Sequence, residues 1–164
     1  MNYKKISTKR ENEIAEDIGG RRHTGSGNKW HSKGDASNEF LLIEDKFVIS
    51  DKYSIQLNII NKLTRQAQKQ SKIPVLRFGF VNMEFLNNFA CIETCYCNPL
   101  AVNESYSTNK KSNTFTYTEL YTSFILMYGQ PVLLQLTFEK EDRNFFIIEW
   151  EDFLKFQQKI IVSI

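Results

Sequence analysis

Long apolar runs are missing from this chain. None reaches the roughly 18 residues that a membrane-spanning helix requires, and the N-terminal MNYKKISTKR has no apolar signal region. Both absences lead to the expectation of a soluble, cytoplasmic protein without a membrane partner. Cysteine is scarce: three residues cannot all pair within one chain, and three are few for a secreted disulfide scaffold. Reduced thiols are therefore expected. Proline occurs three times and glycine seven, too rarely for a fibrous or low-complexity chain. What is present suits a folded core. Hydrophobic residues make up 41% and charged residues 24%, with 13 Phe and 7 Tyr to supply large buried faces. A length of 164 residues fits one domain and leaves little room for a second.

The net charge of +2 hides an uneven distribution. Residues 1–33 hold eight Lys/Arg against four Asp/Glu, whereas residues 34–164 hold thirteen against fifteen. The surplus is concentrated in RRHTGSGNKWHSK, residues 21–33, which has four Lys/Arg, two His and no acid. Such a segment suits a polyanion. A charge run taken alone is more often a solvated loop, so its neighbours decide.

Residues 8–19, TKRENEIAEDIG, place Glu11, Ile14, Ala15 and Ile18 at helical spacing before a Gly19-Gly20 stop. Glu11 shares the apolar face, while Glu13 and Glu16 point away. Alone, Glu11 would be a boundary residue with a packed stem and a wet head. FLLIEDKFVI, residues 40–49, reads as a buried strand interrupted by Glu44, Asp45 and Lys46. Each unpaired buried charge there would cost several kcal/mol, so partners or a metal must compensate. Alternation puts Glu44 and Lys46 on one face and Asp45 on the other. A long helix is expected over 53–70, and a strand over VLRFGF after Pro74. That order implies a right-handed crossover with parallel pairing. The pattern weakens from 84 to about 130, read as an elaboration containing a long loop at 103–113. VLLQLTFE and NFFIIEW form an expected hairpin, and WEDFLKFQQKI a final helix, giving C-terminal strands and helix over 131–160.

The string that carries chemistry is Asp-x8-Glu-x-Lys: Asp35, Glu44 and Lys46. Hard cations such as Mg2+ take oxygen ligands, usually one or two carboxylates together with substrate phosphate oxygens. If Asp35 bends into a strand pairing with 40–47, both carboxylates reach one sheet edge beside Lys46. That arrangement suits phosphodiester hydrolysis.

With these residues in view, the chain resembles the PD-(D/E)xK nuclease superfamily. The Glu11 helix, GGRRHTGSG, Lys33-Gly34-Asp35 and Ile43-Glu44-Asp45-Lys46 look like archaeal and phage Holliday junction resolvases over about residues 8–80. The resemblance implies an α/β fold with a restriction-endonuclease-like core, a central mixed β-sheet flanked by helices. It implies metal ligation by Asp35, Glu44 and Glu11, with Mg2+ or Mn2+ as cofactor and Lys46 as the catalytic lysine. It also implies Ser26 near the scissile phosphate, branched or duplex DNA as substrate, and a homodimer matching the two-fold symmetry of a four-way junction, with an interface available on the exposed aromatic strands near the C-terminus. Arg21, Arg22, His23, Ser26, Lys29 and Lys33 are the expected DNA contacts, extended by Lys4, Lys5, Lys9, Arg10, Lys62 and Arg65. Ser54 and Gln66 fall where such enzymes place polar residues towards the site. Gly34 stands where the superfamily has proline, and Asp45 where a small or apolar residue is usual. The alternatives are a restriction- or repair-type nuclease on linear duplex and a non-catalytic DNA-binding module with a buried ion pair.

Cys91, Cys95 and Cys97 lack the paired spacing and fourth ligand of a structural zinc site, and free thiols are the simpler reading. His23 and His31 suit phosphate contact better than general base work. Trp30 fits base stacking and loop packing equally well.

Overall fold

The computed structural model describes residues 2–23, 34–83, 88–98, 105–108, 114–125, 132–138 and 141–161. It is an α/β protein with a mixed sheet flanked by helices. The chain gathers into two compact units, one of residues 1–45 and 58–76 and the other of residues 46–57 and 77–164.

Helix α1 runs Tyr3–Asp17 and, within the first unit, packs on the short strands β1 (Arg21–Arg22) and β2 (Ala36–Ser37). The helix starts five residues earlier than its apolar stripe suggests. The Asn2 side chain accepts the Lys5 N–H at 3.2 Å, and an N-cap needs no hydrophobic signal. It stops where expected, with Gly19 at φ +58. β3 (Leu41–Val48) follows β2 as an antiparallel neighbour, with Ala36 opposite Ile43. β5 (Ile73–Phe80) lies beside β3. Ile73 N–H donates to Phe40 O and Val81 N–H to Val48 O, the same sequence offset at both ends, so the pairing is parallel as the crossover predicts. Burial of every residue of β5 explains its unbroken apolar run. The helix between them, α2 (Leu57–Gln68), buries Ile60, Leu63, Thr64 and Ala67.

In the second unit the strand order from β5 onward is β5-β6-β10-β9-β7. β6 (Asn88–Glu93), β9 (Leu133–Thr137) and β10 (Asn144–Glu149) are antiparallel neighbours, and β7 (Ser105–Thr108) pairs parallel with β9. A small second sheet joins β4 (Lys52–Ser54) to β8 (Thr114–Thr116), next to α3 (Tyr117–Ile125). The hairpin β9–β10 and helix α4 (Trp150–Ile160) match the sequence reading.

Three expectations need correction. The helix expected from residue 53 begins at Leu57, because Tyr53 sits opposite Phe115 in the second sheet and stacks on Phe78 with ring centroids 4.7 Å apart. Ser54 thus stands on a strand, its hydroxyl 2.6 Å from that of Thr114. The stretch 84–130 is no mere elaboration, since β6 lies inside the sheet with Phe89 and Ala90 fully buried. Within 103–113 the polar residues 105–108 form β7 at the sheet margin, where one neighbour suffices. Finally, the C-terminal aromatic strands do not offer an exposed dimer surface. Phe138, Phe145 and Phe146 are buried, and the exposed large apolar side chains among the described residues are Tyr3 and Phe40.

Phe78, Phe80, Phe89, Phe124 and Tyr117 form a continuous ring cluster with centroid separations of 5.4–6.3 Å. At about 1.5–3 kcal/mol per buried large side chain, such a cluster is a substantial part of the second unit's core. No helix among the described residues is long and apolar enough to cross a membrane.

Candidate active site

The geometry around Asp35 begins with its neighbour. Gly34 has φ +100, and a Cβ there would lie 2.7 Å from Leu42 Cδ1. Proline, held near φ −65°, cannot take this conformation, so the backbone itself calls for glycine here. The substitution Gly34→Pro is accordingly expected to destabilise the fold by more than about 1 kcal/mol. A lowered urea midpoint checks this, and an unchanged midpoint contradicts it.

Beyond Gly34, the Asp35 N–H donates to Ile43 O at 2.8 Å, while Ala36 is the register partner of the same Ile43. Two residues thus oppose one, which is a bulge, and bulges re-aim side chains. Asp35 Oδ2 accepts the Asp45 N–H at 2.8 Å. That N–H belongs to the peptide linking Glu44 to Asp45, so the Asp35 carboxylate rests against the backbone of Glu44. Along β3, Glu44 and Lys46 are half-buried and alternate with buried Asp45.

Asp45 has its own partner. Arg10 Nε and a terminal nitrogen donate to its two carboxylate oxygens at 2.7 and 2.8 Å, with both side chains more than nine-tenths buried. Arg10 is therefore a structural cation, not part of the exposed phosphate-binding face expected with Lys4, Lys5 and Lys9. The signal was available: Arg10, Ile14 and Ile18 share one helical stripe. Glu11, the next residue, accepts a hydrogen bond from Ser7 Oγ at 2.8 Å and lies 3.4 Å from Arg22 Nε. Arg22 also donates to Asn12 Oδ1 at 3.0 Å. Helix α1 thus holds Arg22 against Glu11. Among the described residues, no three His, Cys, Asp or Glu side chains gather as a ready ligand cluster.

Arg21 is exposed, whereas His23 is buried and turns its ring inward. Its Nε2 lies 2.8 Å from Ser37 Oγ, and its N–H donates to Asp35 O at 2.9 Å. Burial, and then the charges of Arg21 and Lys72, hold the imidazole pKa below its ordinary value. Ser26, Lys29, Trp30, His31 and Lys33 lie outside the described residues. Gln66 is half-buried on α2, and Lys62 and Arg65 are exposed there. Lys72, whose Nζ donates to Ser37 Oγ at 3.0 Å, escaped the sequence reading because nothing local links two residues so far apart in the chain. Cys91 and Cys97 are buried free thiols and Cys95 is exposed. Burial pushes Cys97 up to about 12, and burial followed by Glu93 pushes Cys95 up to about 11, so none is an activated nucleophile.

No model of a known protein family matches the chain, and no curated protein matches it.

Proposed function

We propose that the protein is a Mg2+-dependent endodeoxyribonuclease that cuts branched DNA such as Holliday junctions, built on a restriction-endonuclease-like core. The observation that carries this reading is the Asp35 carboxylate lying on the Glu44–Asp45 peptide, which supports convergence of the two metal-ligating side chains of the Asp-x8-Glu-x-Lys string. The donor set fits a hard cation. Asp35 and Glu44 bring carboxylate oxygens, the donor type such an ion takes. Bound there, Mg2+ or Mn2+ would polarise a phosphodiester and acidify a water.

The chain's own residues have separate tasks in this reading. Asp35 and Glu44 supply the anionic oxygens. Lys46 orients the attacking water or offsets charge developing on the phosphate. Glu11 assists through its carboxylate, fixed by Ser7 and Arg22. Backbone phosphates fall to exposed Arg21 and, by their chemistry, to Ser26, Lys29 and Lys33, while Arg22 is held by Glu11 and His23 by Ser37. A homodimer would present two such sites to a symmetric junction.

A non-catalytic DNA-binding module is the second reading, favoured by the Arg10–Asp45 pair, which accounts for one mid-strand charge without chemistry. It gives no role to Glu44 and Lys46, which alternate with Asp45 along β3. Incubating the protein with labelled four-way junctions and matched linear duplexes, with Mg2+ and with chelator, decides. Metal-dependent cutting of junctions supports the proposal, and cutting of linear duplex alone moves it to a restriction- or repair-type enzyme. No cutting under any metal overturns it.

A further inference from the structure

A second cluster of polar groups lies within the first unit, on the β1–β2 ladder, where Arg21 is the register partner of Ser37. Gly20, Arg21, Ser37, Asn38, Glu39 and Lys72 line an open cleft of about 380 Å3 there. Gly20 permits the close approach of the two strands, since a Cβ at this position would clash with the Ser37 carbonyl oxygen. Ser37 itself is 1% exposed, its hydroxyl enclosed between Lys72 Nζ at 3.0 Å and His23 Nε2 at 2.8 Å.

A serine between lysine and histidine invites comparison with an activated nucleophile. Enclosure argues against it, because an oxygen this buried cannot reach a substrate carbonyl or phosphorus. The arrangement instead fixes the lysine. Lys72 spends one of its three donors on Ser37, and the guanidinium of Arg21 carries five. Neither cation has a carboxylate ion-pair partner among the described residues. Asn38 is not a competing acceptor, because its side-chain oxygen takes the Phe40 and Leu41 N–H groups and its amide donates to Ile18 O. Two neighbouring cations with spare donors, one immobilised from behind, form a site for an anion with several acceptor oxygens.

We infer that the cleft between Arg21 and Lys72 is a phosphate-binding site that holds a backbone phosphate of the nucleic acid, about 7 Å along β2 from Asp35. The nucleic-acid source rests on the nuclease reading above; the phosphate site does not. The charge of Arg21 works against that of Lys72, whose pKa lies below its ordinary value through burial first and Arg21 second. Phosphate would relieve that repulsion. Glu39 is the acidic side chain on the rim and limits affinity for free anions.

The test has two arms. In the first, inorganic phosphate is titrated into the full chain at constant ionic strength while backbone amide NMR signals are followed. Saturable shifts at Gly20, Arg21, Ser37 and Asn38 are expected. The apparent affinity should fall at least about tenfold in Lys72→Gln and in Arg21→Gln, and rise in Glu39→Gln. Arg21 is exposed, so its variant carries the test if Lys72→Gln fails to fold. No saturable shift, or undiminished affinity in both variants, overturns the site. In the second arm, DNA affinity is measured against salt. Each cation removed should lower the slope of log K against log salt by about one. An unchanged slope with the phosphate response intact overturns the nucleic-acid source and keeps the oxyanion site. Loss of cleavage in the junction assay with both arms positive counts against the nuclease reading alone.

Discussion

Arg10→Ala is expected to unfold much of the protein's stability reserve, lowering it by about 3–5 kcal/mol. Both partners of the Arg10–Asp45 pair are almost wholly buried, and their fork geometry leaves two charge-assisted hydrogen bonds at 2.7 and 2.8 Å. Truncating one partner strands the other carboxylate or guanidinium away from water, which is where the large cost arises. Domains of this size have only about 5–15 kcal/mol in total, so the variant should be partly unfolded in mild urea. Replacing both together, as Arg10→Met with Asp45→Leu, should recover most of the loss, because buried pairs contribute little net stability over an apolar isostere. Chemical denaturation of the two single variants and the double variant measures the coupling. Additive losses would show that the pair is not an energetic unit.

The second large effect is chemical. On the proposed nuclease reading, Asp35→Asn should depress junction cleavage by at least about a thousandfold while leaving junction binding within a few-fold. The substitution is chosen for its geometry. An asparagine carbonyl oxygen can still accept the Asp45 N–H that Asp35 Oδ2 accepts at 2.8 Å, so the strand pairing survives and the negative charge does not. Lys46→Ala should have the same signature. Single-turnover cleavage and a gel-shift measurement on one protein preparation separate the two quantities. Undiminished cutting by either variant removes these residues from the chemistry, and parallel loss of binding and cutting would mark a folding defect instead.

Much of the frame was legible because it rests on local signals. The stop at Gly19, the buried strand around Ile43, the crossover into β5 and the closing hairpin and helix are each announced by periodicity or by a chain breaker. What escaped depends on distant partners. Tyr53 reads as helical until Phe115 is opposite it, and β6 is hidden by Cys91, whose place in a buried strand is decided by β10. At the candidate site, the sequence supplied Asp35, Glu44 and Lys46 and the alternation of β3. It could not supply the bulge at Asp35, since that depends on how β2 meets Ile43. Nor could it give the inward turn of His23, which has no meaning until Ser37 and Lys72 surround it.

One further property of β3 follows from its charged centre. Leu41, Leu42 and Ile43 are all buried, although they alternate between the two faces. Oiliness therefore cannot tell the strand which way round to sit, and a slip by one position would satisfy these three nearly as well. Arg10 breaks the tie. A cation enclosed on one side, demanding a forked anion at one height, selects Asp45 and so obliges its neighbours Glu44 and Lys46 to look the other way. The most enclosed charge of the strand acts as the key that sets the aim of the other two.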